Sequence, residues 1–322
     1  MTAPARCSIV IRAFNEEKHI GRLLSGILQQ SLRPLEIVLV DSGSTDATLS
    51  IAAQFPVRVV HIRPQEFSFG RSLNRGLSAA QGEFAVLASA HVYPVYADWL
   101  EQLLRPFEDR QVALTYGRQQ GNEATRFSEH QVLAKWFPER SDPRQTHPFC
   151  NNANAAVRLA LWRTHAYDEE LSGLEDLAWA TWAMTQGHTL AYVAEAPVVH
   201  VHEELPGMVF NRYRREAMAL KAIHPAERFH LWDFLRLYPA NVISDLTQAS
   251  RHKRLRREGW GILWFRWMQF WGTYRGFAHA GPISGNLKQI FYYPRQGESR
   301  LLDEHRPARK VDYQAHGDEA RE

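Results

Sequence analysis

A chain of 322 residues, 45% hydrophobic and 23% charged, has room for one large α/β domain with an appended segment or for two small domains. Its net charge of only +3 argues against a general nucleic-acid-binding surface, and its two cysteines, Cys7 and Cys150, give no disulfide framework. No signal peptide precedes the first strand, and no apolar run reaches the roughly 18–20 residues of a membrane span, so a cytoplasmic globular protein is expected.

Cys7–Ile11 reads as a first strand, closed by the loop Arg12-Ala13-Phe14-Asn15-Glu16-Glu17. A helix is predicted over 18–30, with Ile20, Leu23, Leu24, Ile27 and Leu28 on one face. Glu36–Val40 is nearly all apolar and β-branched, as in a strand buried on both faces of a parallel sheet. It runs into the turn Asp41-Ser42-Gly43-Ser44-Thr45-Asp46, where Ser44 or Thr45 is placed to cap a helix over 47–55. With Val57–His61 the alternation is βαβαβ, which favours a parallel sheet with right-handed crossovers. A carboxylate at the end of such a strand lies in the crevice where open α/β sheets bind ligands. Asp41 is therefore either a nucleotide- or sugar-site residue or a turn former.

Phe69–Gly76 leads through a short helix to a buried strand, Phe84–Ala88, that ends in Ser89-Ala90-His91. A helix over 97–107 and a strand over 112–117 follow. Residues 121–146 are polar, hold Pro138 and Pro143, and are expected to form a mobile active-site loop. Phe149–Val157 is expected as a strand carrying Asn151, Asn152 and Asn154 toward the site. Gly173-Leu174-Glu175-Asp176 opens a helix over 177–186 that Gly187 ends. Short strands over 190–193 and 198–201 lead to His200-Val201-His202. Helices over 208–224, 231–249 and 256–279 come last, before a charged tail beyond Pro294 that is expected to be loose. The domains expected are 1–205, a helical region 206–294 and the tail 295–322.

Five pieces in this order resemble a family 2 glycosyltransferase over about residues 5–205: Ser8–Glu16, Val40–Asp46, Asn74-Arg75-Gly76, Gly82-Glu83-Phe84 and Glu175-Asp176, with the strand end Ser89-Ala90-His91 in the place of the family's metal motif. The resemblance implies a GT-A fold, a mostly parallel Rossmann-like sheet flanked by helices, here with a helical C-terminal extension. It also implies an inverting transfer of a sugar from a nucleoside-diphosphate donor to a glycan or lipid-linked acceptor, in cell-surface polysaccharide or glycolipid synthesis. By position, Phe14, Glu16, Asp41, Ser42, Arg71, Asn74 and Ser89 fall to the donor, and Asn152 and Asn154 to acceptor hydroxyls. The guanidinium of Arg71 suits a diphosphate, because its fork matches phosphate oxygens. Asp176, with Glu175 beside it, matches the family's base, though both also suit a helix cap.

One departure is plain. Relatives carry Asp-x-Asp where this chain reads Ser89-Ala90-His91, so both metal-binding acids are missing. A related group pairs Asp-x-His with a later histidine, and by that comparison His91 and His200 share a divalent metal, with His202 as an alternate ligand. Manganese, magnesium and zinc are the ions to consider, imidazole suiting zinc best. The other readings are a metal-free site and buried structural histidines. On a strand His200 and His202 point to opposite faces, so one at most faces His91 unless the strand ends between them.

The aromatic stretch Trp260–Trp271 follows the basic run Arg251–Arg257. Residues 251–271 read as a peripheral contact with the inner membrane face, or as a packed helix that also serves a homo-oligomer. Two further classes stay open, a scaffold protein that kept the fold without activity and a nucleotidyltransferase. The latter needs a Gly-rich phosphate loop, and Arg12–Glu17 has no glycine.

Overall fold

The computed structural model describes residues 7–279, 281 and 311. The chain runs β1 (Cys7–Ala13), α1 (Ile20–Leu28), β2 (Glu36–Asp41), α2 (Thr48–Ala52), β3 (Val57–His61), α3 (Phe69–Ala79), β4 (Phe84–Ser89), β5 (Val92–Pro94) and α4 (Trp99–Leu104). It continues with β6 (Val112–Gln120), α5 (Phe127–Trp136), β7 (Asp142–Gln145), β8 (Asn154–Arg158), α6 (Leu159–Thr164), α7 (Glu175–Thr185) and β9 (Thr189–His200). Three long helices close it: α8 (Pro206–Ile223), α9 (Leu231–Arg251) and α10 (Leu255–Phe277).

One sheet runs in the order β3-β2-β1-β4-β8-β6-β9-β5, with β7 added on β9. The pairs β3–β2, β2–β1, β1–β4 and β6–β9 are parallel, and β5, β7 and β8 run against their neighbours. Period-two alternation divides the core. In β1, Cys7, Ile9 and Ile11 face α1 and α4, while Val10 faces the other side with Leu73 and Leu77 of α3. Both faces are covered by helices, which is why β2 is apolar at every interior position.

Two sequence expectations change. Residues 121–146 are not a loop, because α5 and β7 lie within them. The two short strands near 190 and 198 are one strand, β9, which shifts register against β6 between Gly117 and Gln119. Within the basic run, Arg251 ends α9, His252, Lys253 and Arg254 form the turn, and α10 begins at Leu255.

The last helices pack closely. A Cβ on Gly272 or Gly276 would lie 2.5 Å from the backbone oxygen of Phe210 or Arg214, so only glycine lets α10 cross α8 this near. Arg266 of α10 forms a buried, two-pronged pair with Asp245 of α9, at 2.8 and 3.0 Å, and Ser128 of α5 donates to the same carboxylate at 2.6 Å. The 121–146 segment is thus fastened to the C-terminal helices. No helix among the described residues is long and apolar enough to cross a membrane. The tail expected to be loose lies outside the described residues apart from Val311, which is buried.

Candidate active site

A cavity of about 540 Å³ opens where β1 and β4 end, and the stretch after β9 forms another wall. Strand ends on one edge of a parallel sheet leave this crevice, so the fold itself puts the loops after β1, β4 and β9 around one space.

The loop after β1 is pinned to the turn after β2. Asn15 N donates to Ser44 Oγ at 3.0 Å, Glu16 N to Thr48 Oγ1 at 2.7 Å, and Glu17 N to Asp46 Oδ2 at 3.1 Å. In return Asn15 Oδ1 accepts from Thr45 N at 2.8 Å, with Asn15 itself left-handed at φ 54°. Ser44 and Thr45 therefore clip two loops together and do not cap α2, whose N-cap is Ala47. Phe14, Glu16, Ser42 and Ser89 all line the cavity.

Asp41 does not. Its carboxylate is 1% exposed and accepts from Gly43 N at 3.0 Å and Ser44 N at 3.2 Å, which makes it the acceptor that shapes its own turn. Arg71 and Asn74 are also drawn away from the cavity lining. Arg71 Nε pairs with Glu169 at 2.6 Å and its Nη1 donates to Glu66 O at 2.8 Å. Asn74 donates to Tyr167 O and accepts from Trp162 Nε1. Asn154 is fully buried, accepts from Trp99 Nε1 at 2.9 Å and donates to the Arg118 and Ala196 carbonyls. An asparagine so engaged welds β8 to β6 and β9 and offers nothing to an acceptor; Asn152 alone of that pair reaches the cavity.

Asp176 stands in the wall at the start of α7, 8% exposed. Its carboxylate accepts from Asn152 N at 3.1 Å and Leu177 N at 2.8 Å. Leu174, left-handed at φ 56°, turns the chain so that Glu175 and Asp176 both begin the helix buried. Burial and the neighbouring Glu175 charge push the Asp176 carboxyl up to about 7, against the pull of the two N–H donors and the charge of Arg12. A group balanced there exchanges a proton readily near neutrality.

The three histidines meet. The His91 and His200 rings stack with centroids 5.1 Å apart, and His202 lies 4.1 Å from His200, because β9 ends at His200 and frees His202 to turn to the same side. One ring nitrogen from each lies within 4.8 Å of the others. Each ring has an oxygen against Nδ1: Glu16 Oε1 for His91 at 2.7 Å, Gln119 Oε1 for His200 at 2.6 Å, and Glu129 Oε1 for His202 at 2.7 Å. Carboxylate and amide oxygens only accept, so Nδ1 carries the proton in all three and, in the neutral ring, Nε2 carries the lone pair. His200 Nε2 is buried with no partner. Burial, His202, His91 and Arg212 hold the His200 pKa well below its ordinary value. On His91 burial opposes the charge, but Glu16 outweighs it and the pKa is raised.

Sequence reasoning missed Glu129, Gln119, Arg212 and Arg12. Glu129 is 3% exposed and is held by Arg212 Nη2 at 2.8 Å, which also grips Glu204 at 2.6 Å. Glu129 lies 73 positions from His202 in a stretch with no motif, so no spacing pointed to it. Burial opposes the Glu129 charge, yet His202 and Arg212 draw its pKa down to about 2, which keeps it ionised. Arg12 lines the cavity in contact with the Phe69 ring, 4.8 Å from its centroid, and its Nη1 is buried with no hydrogen-bond partner.

The profile of the family described as glycosyl transferase family 2 matches residues 8–166. The O-antigen chain rhamnosyltransferase WbaN of Salmonella anatum is 29% identical over 196 residues, 58% of this chain and 62% of that protein. The match thus spans less than two-thirds of that relative. The O-antigen chain rhamnosyltransferase RfbN of Salmonella typhimurium is 25% identical over 228 residues, 65% of this chain and 70% of its own. A mannosyltransferase from Pyrobaculum calidifontis, solved with GDP-Man and Mn2+, shares the fold over 92% of this chain and 89% of its own, with TM-score 0.59 and 17% identity. Staphylococcus aureus TarS 1–349, solved with UDP-GlcNAc, does so over 67% of this chain and 66% of its own, with TM-score 0.52 and 19% identity. Profile and relatives make this chain similar to glycosyl transferase family 2 over residues 8–166, and its fold is GT-A-like.

Proposed function

We propose that this protein transfers a hexose or deoxyhexose from a nucleoside-diphosphate donor, with inversion, to a glycan or lipid-linked acceptor in the assembly of a cell-surface polysaccharide. One observation carries the reading: a buried carboxylate, a guanidinium with an unpartnered Nη1 and three histidines line a single cavity at the strand ends of a GT-A-like fold. The rhamnosyltransferase relatives support a deoxyhexose in O-antigen-like chains.

The chemistry follows from the residues. The acceptor hydroxyl oxygen attacks the anomeric carbon while Asp176 takes its proton. The bond from that carbon to the diphosphate oxygen breaks, and its electron pair leaves with the nucleoside diphosphate. Arg12, rather than Arg71, offers the guanidinium that meets the growing negative charge, since Glu169 already engages Arg71. Phe14 and Ser42 border the space for the nucleoside, and Asn152 the space for an acceptor hydroxyl. The donor set fits a divalent cation held by His91, His200 and His202, because the buried Nε2 of His200 has no other partner. Bound there, the ion supplies positive charge to the diphosphate.

A thermal-shift panel of nucleoside diphosphates tests the reading, because ligand bound to the native state raises Tm. A rise with one nucleotide, together with release of that nucleotide from its sugar donor, is expected. No rise with any nucleotide overturns it.

We further propose peripheral contact with an anionic lipid surface through α9 and α10. Trp232 and Trp260 are 72% and 77% exposed, and the cationic run from Arg251 to Arg257 is exposed beside Trp260. Cosedimentation with vesicles containing phosphatidylglycerol, lost on Trp260→Ser, is expected. Equal pelleting with neutral phosphatidylcholine, or none with either, rules it out.

A further inference from the structure

We infer that the histidine cluster is a three-imidazole site for a zinc-class cation that excludes magnesium, and that Glu16, Gln119 and Glu129 are the positioning residues that prepare it. This deepens the proposed function, but it rests on side-chain geometry that involves no sugar or nucleotide.

The first argument is the common orientation of the rings. Three separate oxygens, from the loop after β1, from β6 and from α5, each accept a hydrogen bond from a histidine Nδ1–H, at 2.7, 2.6 and 2.7 Å. A histidine that serves only to fill space needs no such agreement. Here the agreement fixes one tautomer three times and turns three lone pairs loose, the arrangement that outer carboxylates and amides impose on metal-binding histidines. His200 shows the consequence most directly, since its Nε2 is buried and has no partner in the protein.

The second argument is charge. The three ring nitrogens within 4.8 Å of one another are neutral donors, and no carboxylate joins them as a direct ligand in that grouping. Magnesium holds its waters tightly and seeks hard, anionic oxygen, so three imidazoles offer it little. Zinc and cobalt(II) take imidazole nitrogen well, and three protein ligands leave a coordination position open to a phosphate oxygen. Glu16 and Glu129 balance the ion's charge from behind the rings. A second grouping, Glu129 with His202 and Glu204, is less suited, because Arg212 already bonds both carboxylates.

The third argument is anchoring. Glu129 is itself held by Arg212 of α8, and its neighbour Ser128 is tied through Asp245 to Arg266 of α10. The C-terminal helices therefore fix the acceptor that orients His202. The missing Asp-x-Asp acids are replaced by ligands drawn from two strand ends and braced by a helix that the sequence motifs do not reach.

The test uses the full-length protein stripped by chelator, with no nucleotide present. Calorimetric titration should show one zinc ion bound per chain, with magnesium at least about 100-fold weaker. Cobalt(II) should give the visible absorption of a nitrogen-ligated, low-coordinate ion. His200→Ala should remove the cobalt spectrum, and Glu129→Gln should weaken zinc by about 10- to 100-fold while leaving stoichiometry unchanged. Should Glu129→Gln fail to fold, Glu16→Gln at the cavity rim tests the same effect through His91. Magnesium binding as tight as zinc, no cobalt spectrum, or full zinc affinity in His200→Ala each overturns the inference. Failure here with a nucleotide still bound by the stripped protein would leave the transferase reading standing; loss of nucleotide binding with zinc retained would do the reverse.

Discussion

Asp41 and Asp176 look alike in the sequence, each an acid where an element turns, yet the fold gives them different surroundings. At the end of β2, Asp41 folds back on Gly43 and Ser44 and turns no oxygen to the cavity. At the start of α7, Asp176 also accepts from two N–H donors, but it sits beside Glu175 and lines the cavity. The same chemical group closes a turn in one place and lines the cavity in the other, where we propose that it takes the acceptor's proton. What differs is the direction of the backbone around it, set at α7 by the left-handed Leu174.

The largest effect is expected of Asp176→Asn. It should lower kcat by about 10²- to 10⁴-fold with nucleotide affinity retained, measured by steady-state transfer and calorimetry. A variant with wild-type turnover would end the assignment of Asp176 as base.

The two guanidiniums offer the same contrast. Arg12→Met should weaken nucleoside-diphosphate binding by about 10- to 100-fold and leave the free nucleoside unaffected, the size of one lost charge-assisted contact. Arg71→Met, which loses the Glu169 pair and the bond to the Glu66 carbonyl, should leave both affinities close to wild type. Equal losses in the two variants would erase the distinction drawn between them.

Proton linkage sharpens the case for Asp176. A base that titrates at about 7 makes kcat/KM climb about tenfold per pH unit below that value and level off above it. Stability moves the other way. The native carboxyl holds its proton more tightly than the unfolded one, so its contribution is present below about pH 4 and is lost as pH rises through about 7. The Asp176→Asn variant should lack that decline, which melting curves across pH 4–8 would show.

The smallest expected effect on catalysis belongs to Asp41→Ala. It should lower stability by about 1–3 kcal/mol through the stranded N–H groups of the turn, with turnover of the folded protein falling far less than for Asp176→Asn. A kcat loss matching Asp176→Asn, at unchanged Tm, would show that Asp41 does touch the donor.

Much of this was legible before any coordinates. Apolar runs and the βαβαβ order gave the parallel half of the sheet, since burial on both faces leaves no room for polar alternation in β2 or β4. Strand ends then located the cavity, and motif order brought Phe14, Glu16, Ser42, Ser89, His91, Glu175, Asp176 and His200 to its wall. Local pattern failed where side chains answer to distant partners. Asn154 reads as a sugar ligand until Trp99 and the β6 and β9 carbonyls claim it. The 121–146 stretch reads as a loop because α5 is held by Asp245, far along the chain, rather than by a strong pattern of its own.

The sequence alone determined the class of fold, the edge of the sheet that holds the site and the loss of the acidic metal motif, because burial periodicity and motif order are local properties of a chain. Tertiary structure alone decided which acid is turned to the cavity, which guanidinium remains uncommitted and which nitrogen each histidine presents. Those depend on hydrogen-bond partners as many as 98 positions away, and no spacing rule reaches that far.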